Sequence, residues 1–158
     1  MKTLGLLIIV FSVISFGLFS SYKTKRSLAS MKSIINFMYY TKSQIERFNT
    51  PLDLIYRNYA ENENCIIADF IEDVLVKGWS NAITNTNLYL PEETRKILIE
   101  YGEYLGKSNK ITQLIHCNHY IEMIEEKYKE MEKTAPDKIK LSLTLSVYSG
   151  LMLIILFI

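Results

Sequence analysis

Two apolar stretches, one near each end, constrain this chain more than anything else in it. Leu141 to Ile158, LSLTLSVYSGLMLIILFI, runs 18 residues without a charge. As a helix it would measure about 27 Å, close to the hydrocarbon thickness of a bilayer. Leu4 to Phe19, LGLLIIVFSVISFGLF, is its counterpart, relieved only by Gly and Ser. Lys2 alone precedes that run, whereas Lys23, Lys25 and Arg26 follow it, and no A-x-A-like cleavage site or lipobox Cys is present. A signal peptide has the opposite charge order, so this end reads as an uncleaved anchor. Basic flanks prefer the cytoplasmic side, and Lys138 and Lys140 guard the second stretch as Lys23 to Arg26 guard the first.

These flanks predict three parts. Residues 1–21 are expected to form an N-terminal transmembrane anchor, residues 22–140 a cytoplasmic helical bundle, and residues 141–158 a C-terminal transmembrane helix with no further domain beyond it. The middle part holds 17 basic and 17 acidic residues. That balance gives no net field to gather nucleic acid or an acidic substrate. Cys65 and Cys117 are then expected as reduced thiols, small core residues rather than nucleophiles.

The 119 residues of the middle part suffice for one domain with its own core. With 6 Gly and 3 Pro in the whole chain, the composition favours helices joined by short connections. The expected fold class is all-α, a bundle of about six helices flanked by the two membrane helices. Leu28, Met31, Ile35, Met38 and Ile45 stripe one face of a helix over Ser27 to Arg47. Thr50 reads as the N-cap of a short second helix with Pro51 in its first position. Ile66, Ile67, Phe70, Ile71, Val74 and Leu75 mark a third helix ending at Gly78, and Trp79 to Asn87 a fourth, capped by Ser80. Pro91, Glu92 and Glu93 open a fifth, with two acids against the positive end of its dipole.

The tightest connection follows. Gly106 reads as a left-handed cap ending the fifth helix near Leu105, and Ser108 as the N-cap of the next. Helices joined so closely pack as an antiparallel hairpin. Gly102 sacrifices helix propensity one turn earlier, which the close approach of a neighbouring backbone would explain. The last soluble helix, Ser108 to about Lys133, carries Leu114, Cys117, Ile121, Ile124, Tyr128 and Met131 at alternating spacings of three and four, a coiled-coil-like seam for antiparallel packing inside the domain, the simpler reading for a domain of this size, or for pairing with another helix. Glu122, Glu125, Glu126 and Lys129 lie on its other faces and form a candidate partner surface. Pro136 is expected to break or restart the helix before the second membrane segment.

Chemistry is sparsely signalled. His116 and His119, three apart on a helix, could hold a metal beside Cys117, but a structural site takes four ligands and no second pair appears. Hydrogen bonding of His116 and Gln113 to backbone near Gly106 is the simpler reading. Glu61, Glu63, Asp69, Glu72 and Asp73 form an acidic cluster that reads as a solvated face. The motifs for phosphate loops, dinucleotides, acyl transfer and zinc proteases are absent. A small metal-dependent membrane hydrolase using the two histidines and the acidic cluster is the enzymatic alternative. The expectation is a protein that is not an enzyme and uses no cofactor or metal.

Tyr101-Gly102-Glu103-Tyr104-Leu105-Gly106-Lys107-Ser108, followed by Gln113 and His116, and later by Lys140-Leu141 leading into a Gly-containing anchor with Ser149-Gly150-Leu151, resembles the stage III sporulation protein AB family of endospore-forming bacteria. Thr50-Pro51-Leu52 and the N-terminal anchor fall where that family has them. The most specific part is the G-x-x-L-G-x-S-x-x-x-x-Q-x-x-H run from Gly102 to His116. The resemblance implies a helical bundle similar to the cytoplasmic domains of type II secretion and type IV pilus platform proteins. It implies a place in the mother-cell membrane around the forespore, in a secretion-like channel whose cytoplasmic ATPase is stage III sporulation protein AA. Docking of that ATPase and contact with other membrane subunits and with the bilayer are the partners so implied; the even charge balance speaks against nucleic acid, and an oligomer is left open. A platform subunit of another type II secretion or pilus-like machine is the alternative. This chain departs from the family pattern where Ser146 or a neighbour replaces a Gly early in the last anchor, and where Pro136 enters the linker.

Overall fold

The computed structural model describes the backbone of residues 2–61, 66–85 and 88–157, with side chains from residue 11 to residue 155 of those ranges. Glu63, Cys65, the side chains of the first residues of the N-terminal apolar run and the end of the helix expected to reach Asn87 lie outside what is described. The all-α expectation holds, with six helices and no strand among the described residues: α1 Lys2–Phe48, α2 Leu52–Ala60, α3 Ala68–Lys77, α4 Trp79–Asn85, α5 Glu92–Tyr104 and α6 Lys110–Phe157.

Two of these are far longer than the periodicity predicts. α1 has 47 residues and α6 has 48, so each apolar stretch continues without interruption into a bundle helix. Pro136 lies inside α6 and does not end it. A proline removes one backbone hydrogen bond and crowds the carbonyl four residues back. The turns on either side keep theirs, and one missing bond in a helix of this length leaves the rest propagating. The Thr134 hydroxyl donates to the Met131 carbonyl at 3.3 Å in the same turn.

The chain divides into two compact units, residues 27–130 and the two ends, 1–26 with 131–158. In the larger unit α2, α3, α4 and α5 pack in sequence, each on the next. Its core takes Met31, Ile34, Phe37 and Met38 from α1, Ile55 from α2, Ile71 from α3, Ile83 from α4, Leu98 and Tyr101 from α5, and Cys117, Ile121 and Ile124 from α6. The predicted seam of α6 is therefore buried at its centre, while Leu114, Tyr128 and Met131 are half-buried.

Helix starts fall one or two residues off the predicted caps, for physical reasons. The Thr50 hydroxyl bonds Gln44 Oε1 at 3.3 Å, and Pro51 stands outside α2 with its carbonyl receiving the Ile55 N–H at 3.1 Å. Pro91 holds the same extended position before α5. Ser80 lies within α4, whose first turn closes when the Ala82 N–H bonds the Gly78 carbonyl at 3.0 Å. Arg95 fixes the α4–α5 connection by donating to the carbonyls of Ile83 at 2.6 Å, Leu88 at 2.8 Å and Leu90 at 3.3 Å. No sequence pattern announces that clamp.

In the smaller unit the first part of α1 and the last part of α6 lie together, antiparallel, on small residues. Gly17, Ser21, Ala135, Ser146 and Gly150 are buried there, and a Cβ placed on Gly17 would stand 2.7 Å from Ser146 Cβ and 3.3 Å from the Ser142 carbonyl. The hydroxyls on this seam close on their own helices, Ser21 to the Gly17 carbonyl at 2.9 Å and Ser146 to the Ser142 carbonyl at 2.8 Å. Large apolar side chains point the other way, Phe11, Phe16, Leu18, Leu145, Met152 and Ile155 among them. Among the described residues one helix, Lys110–Ile155, is long and apolar enough by length and composition to cross a membrane.

Close packing of this pair thus rests on a glycine in α1 opposite the serine in α6. Gly17→Val should lower the thermal midpoint of the full chain in detergent, overpacking of this kind costing about 1–3 kcal/mol. Adding Ser146→Gly should recover part of the loss; two effects that simply add would rule out the contact.

Candidate functional site

The run from Gly102 to His116 forms the end of α5, the α5–α6 connection and the first turns of α6. Its organising partner is a residue the pattern does not contain. A Cβ on Gly102 would stand 2.5 Å from Trp79 Cβ and 2.6 Å from Trp79 Cδ2, so the close neighbour of this glycine is an indole ring and not the backbone that the sequence suggested. Trp79, at the start of α4, meets Tyr101 edge-on at 5.4 Å and Phe70 at 5.6 Å, with Tyr56 and Phe37 each at 6.3 Å. Its indole N–H donates to the Tyr56 hydroxyl at 3.2 Å. Edge-on aromatic pairs add about 0.5–1.5 kcal/mol each beyond area burial, so one side chain gathers α1, α2, α3 and α5. A lone Trp immediately after a helix-ending Gly was the signal available in the sequence.

The connection itself is shaped by backbone geometry. α5 ends at Tyr104, Leu105 is extended and 8% exposed, and Gly106 turns the chain at φ +79°. A side chain there would be strained by its conformation and would stand 2.9 Å from Leu52 Cδ1. Ser108 does not cap α6. Its hydroxyl is buried with no hydrogen-bond partner, while Asn109 Oδ1 accepts the Thr112 N–H at 3.0 Å. Ser108 serves through its carbonyl, which receives the Gln113 amide at 2.8 Å. His116 stacks on Tyr104, rings 4.9 Å apart and 6° from parallel, and Tyr120 continues the stack at 6.2 Å from Tyr104. His119 lies against Tyr120 at 5.3 Å. Gly102, Leu105, Gly106, Ser108, Gln113 and His116 therefore come together as the corner of a helical hairpin.

Deeper in, the Tyr101 hydroxyl lies 4.0 Å from Cys117 Sγ, both fully enclosed. Burial pushes the Cys117 thiol up, outweighing the hydrogen bond from Tyr101 that favours its thiolate. Burial likewise raises Tyr101, and takes Tyr56 to about 12. A buried thiol held neutral is a poor nucleophile. Among the described residues no group of three His, Cys, Asp or Glu side chains is placed to hold a metal ion. Of the acidic cluster, Asp73 pairs with Lys77 at 2.7 Å within α3.

The candidate partner surface on α6 is divided. Glu125 accepts the Tyr39 hydroxyl at 2.9 Å, which holds that phenol above its usual range, and approaches Lys129 at 3.9 Å. Glu122, Glu126 and Lys129 are exposed. Lys127, beside them, reaches Glu93 of α5 at 2.8 Å. That bond lowers the Glu93 carboxyl and raises the Lys127 ammonium.

Gly102→Ala should destabilise the full chain by about 1–3 kcal/mol through overpacking, and Gly106→Val by at least about 1–2 kcal/mol from its left-handed backbone alone. Thermal unfolding followed by circular dichroism reads both. Unchanged midpoints would remove the hairpin corner as a determinant of the fold.

The family model described as stage III sporulation protein AB matches residues 2–158. No curated protein and no solved structure matches the chain.

Proposed function

The chain belongs to the stage III sporulation protein AB family, and on that premise we propose that it is a membrane platform subunit of a secretion-like channel between mother cell and forespore. The family ties it to endospore formation. In this reading the paired ends of α1 and α6 cross the mother-cell membrane, and the bundle of residues 27–130 stands in the mother-cell cytoplasm. There it docks the channel's secretion ATPase, stage III sporulation protein AA, and couples it to the other membrane subunits. The protein transmits and positions without catalysing a reaction.

The observation that carries this reading is the small-residue seam between the two ends. Gly17 against Ser142 and Ser146, with large apolar side chains on the opposite faces, is how helices associate where no water drives them together. Hydroxyls returned to their own backbone leave no unsatisfied donor in such a setting. The charges support the orientation. The unit of paired ends holds seven basic and two acidic residues, and the bundle 11 basic and 15 acidic. The even balance of the middle of the sequence thus hides a basic flank beside an acidic domain, and basic flanks favour the cytoplasmic face. Glu122 and Glu126, exposed on α6, offer an acidic face to a cytoplasmic partner.

Deleting the gene in a spore-forming host should halt development after engulfment and remove heat-resistant spores. Glu122→Lys with Glu126→Lys should reduce co-purification of the ATPase several-fold while leaving the bundle folded. Normal spore counts in a strain lacking a second copy would overturn the reading, and undiminished ATPase recovery would remove the α6 face from it.

A further inference from the structure

Four basic residues of the paired ends lie on the same side of the Gly17 contact, within about 8 Å of one another in height. In the antiparallel register set by Gly17 opposite Ser142 and Ser146, Lys25 and Arg26 lie about 12–14 Å from Gly17 along α1, and Lys138 and Lys140 about 6–9 Å along α6 in the same direction. All four are exposed. Below them the apolar surface begins, so all four stand on the side of the Gly17 contact where charged sequence gives way to apolar.

An open groove of about 500 Å³ lies at this level, lined by Thr134, Asp137, Lys138, Lys140, Leu141 and Thr144. It leads onto a track. Leu141, Leu145, Tyr148, Met152 and Ile155 are each more than half exposed, and their spacing of four, three, four and three places them in one line down α6. Lys138 stands three residues before Leu141 and heads the same line. The track is about 21 Å long, enough to span the roughly 15 Å of one leaflet's hydrocarbon.

We infer that this groove and track are a binding site for one anionic phospholipid, its phosphate held by Lys138 and Lys140 and an acyl chain laid along Leu141 to Ile155. The inference rests on the reading of the paired ends as membrane-crossing. A phosphate with an acyl tail matches both halves of the feature, since the lysines take the charge while their stems and Leu141 take the glycerol and chain. Free phosphate would leave the apolar track bare. Among the described residues lining the groove Asp137 is the one acid, and Lys138 and Lys140 outnumber it. A zwitterionic lipid would bring its own cation up to these two lysines, so the site discriminates by charge. Anionic headgroups gain about five-fold in affinity per lysine at a membrane surface.

The test uses the full chain. Reconstituted into neutral phosphatidylcholine vesicles and washed with alkaline carbonate, it should remain with the vesicles. In non-ionic detergent with equal phosphatidylglycerol and phosphatidylcholine, native mass spectrometry should show phosphatidylglycerol retained in preference. Lys138→Gln with Lys140→Gln should weaken that retention about five-fold or more, whereas the same charge loss at Lys107→Gln with Lys133→Gln should not. Loss from the neutral vesicles would overturn both this inference and the membrane reading beneath it. A chain that stays in vesicles but retains both lipids alike overturns the inference alone. So does a groove variant that keeps phosphatidylglycerol, displacement of the lipid by millimolar inorganic phosphate, or a second copy of the chain occupying the track.

Discussion

The bundle depends on an indole ring lying against a glycine. Trp79 sits where a side chain at residue 102 would have to be, and from there it touches aromatic rings on α1, α2, α3 and α5. α4 has only seven residues, too few to hold a helix by hydrogen bonds alone. It persists because Trp79, Ala82 and Ile83 pack inward and because Arg95 clamps the chain leaving it through three carbonyls. The turn at Gly106 and the bond from Gln113 to the Ser108 carbonyl then set α6 against α5, which brings Cys117, Ile121 and Ile124 into the same core.

A different rule holds the two ends. Where the bundle uses large rings and aliphatic side chains, the paired ends use Gly17, Ser21, Ser146 and Gly150, residues whose virtue is that they occupy little space. Ser146 in the last apolar stretch packs closely because the facing helix places Gly17 opposite it. The charge division follows the same boundary. Whole-chain net charge is +1, a sum of a basic pair of ends and an acidic bundle that meet opposite demands.

The parts legible in the sequence were those with a local period. The stripes of α1, α3 and α6 placed Met31, Phe70, Ile71, Val74, Cys117, Ile121 and Ile124 in the core, and Gly106 announced its left-handed turn. The family itself was legible in the run from Gly102 to His116, which matches along with the rest of the chain. Caps were less legible, since Thr50 and Ser108 carry cap chemistry that the fold employs otherwise or leaves unused. Pro136 looked like a break, yet the helix runs through it. What no local pattern carries is contact between distant residues. Trp79 against Gly102, Arg95 on the carbonyls of the α4–α5 connection and Gly17 against Ser146 join positions whose partners are set by the whole fold.

The claim on which the functional account turns is that the bundle faces the cytoplasm while the two ends cross the membrane. Its most direct measurement is labelling of single cysteines in intact cells with a membrane-impermeant maleimide, in a chain whose native Cys65 and Cys117 are replaced by Ser. A cysteine at Glu126, exposed on α6, should stay unlabelled until the membrane is opened and then react fully. Labelling of that position in intact cells would put the bundle on the wrong side of the membrane for any cytoplasmic ATPase and contradict the account.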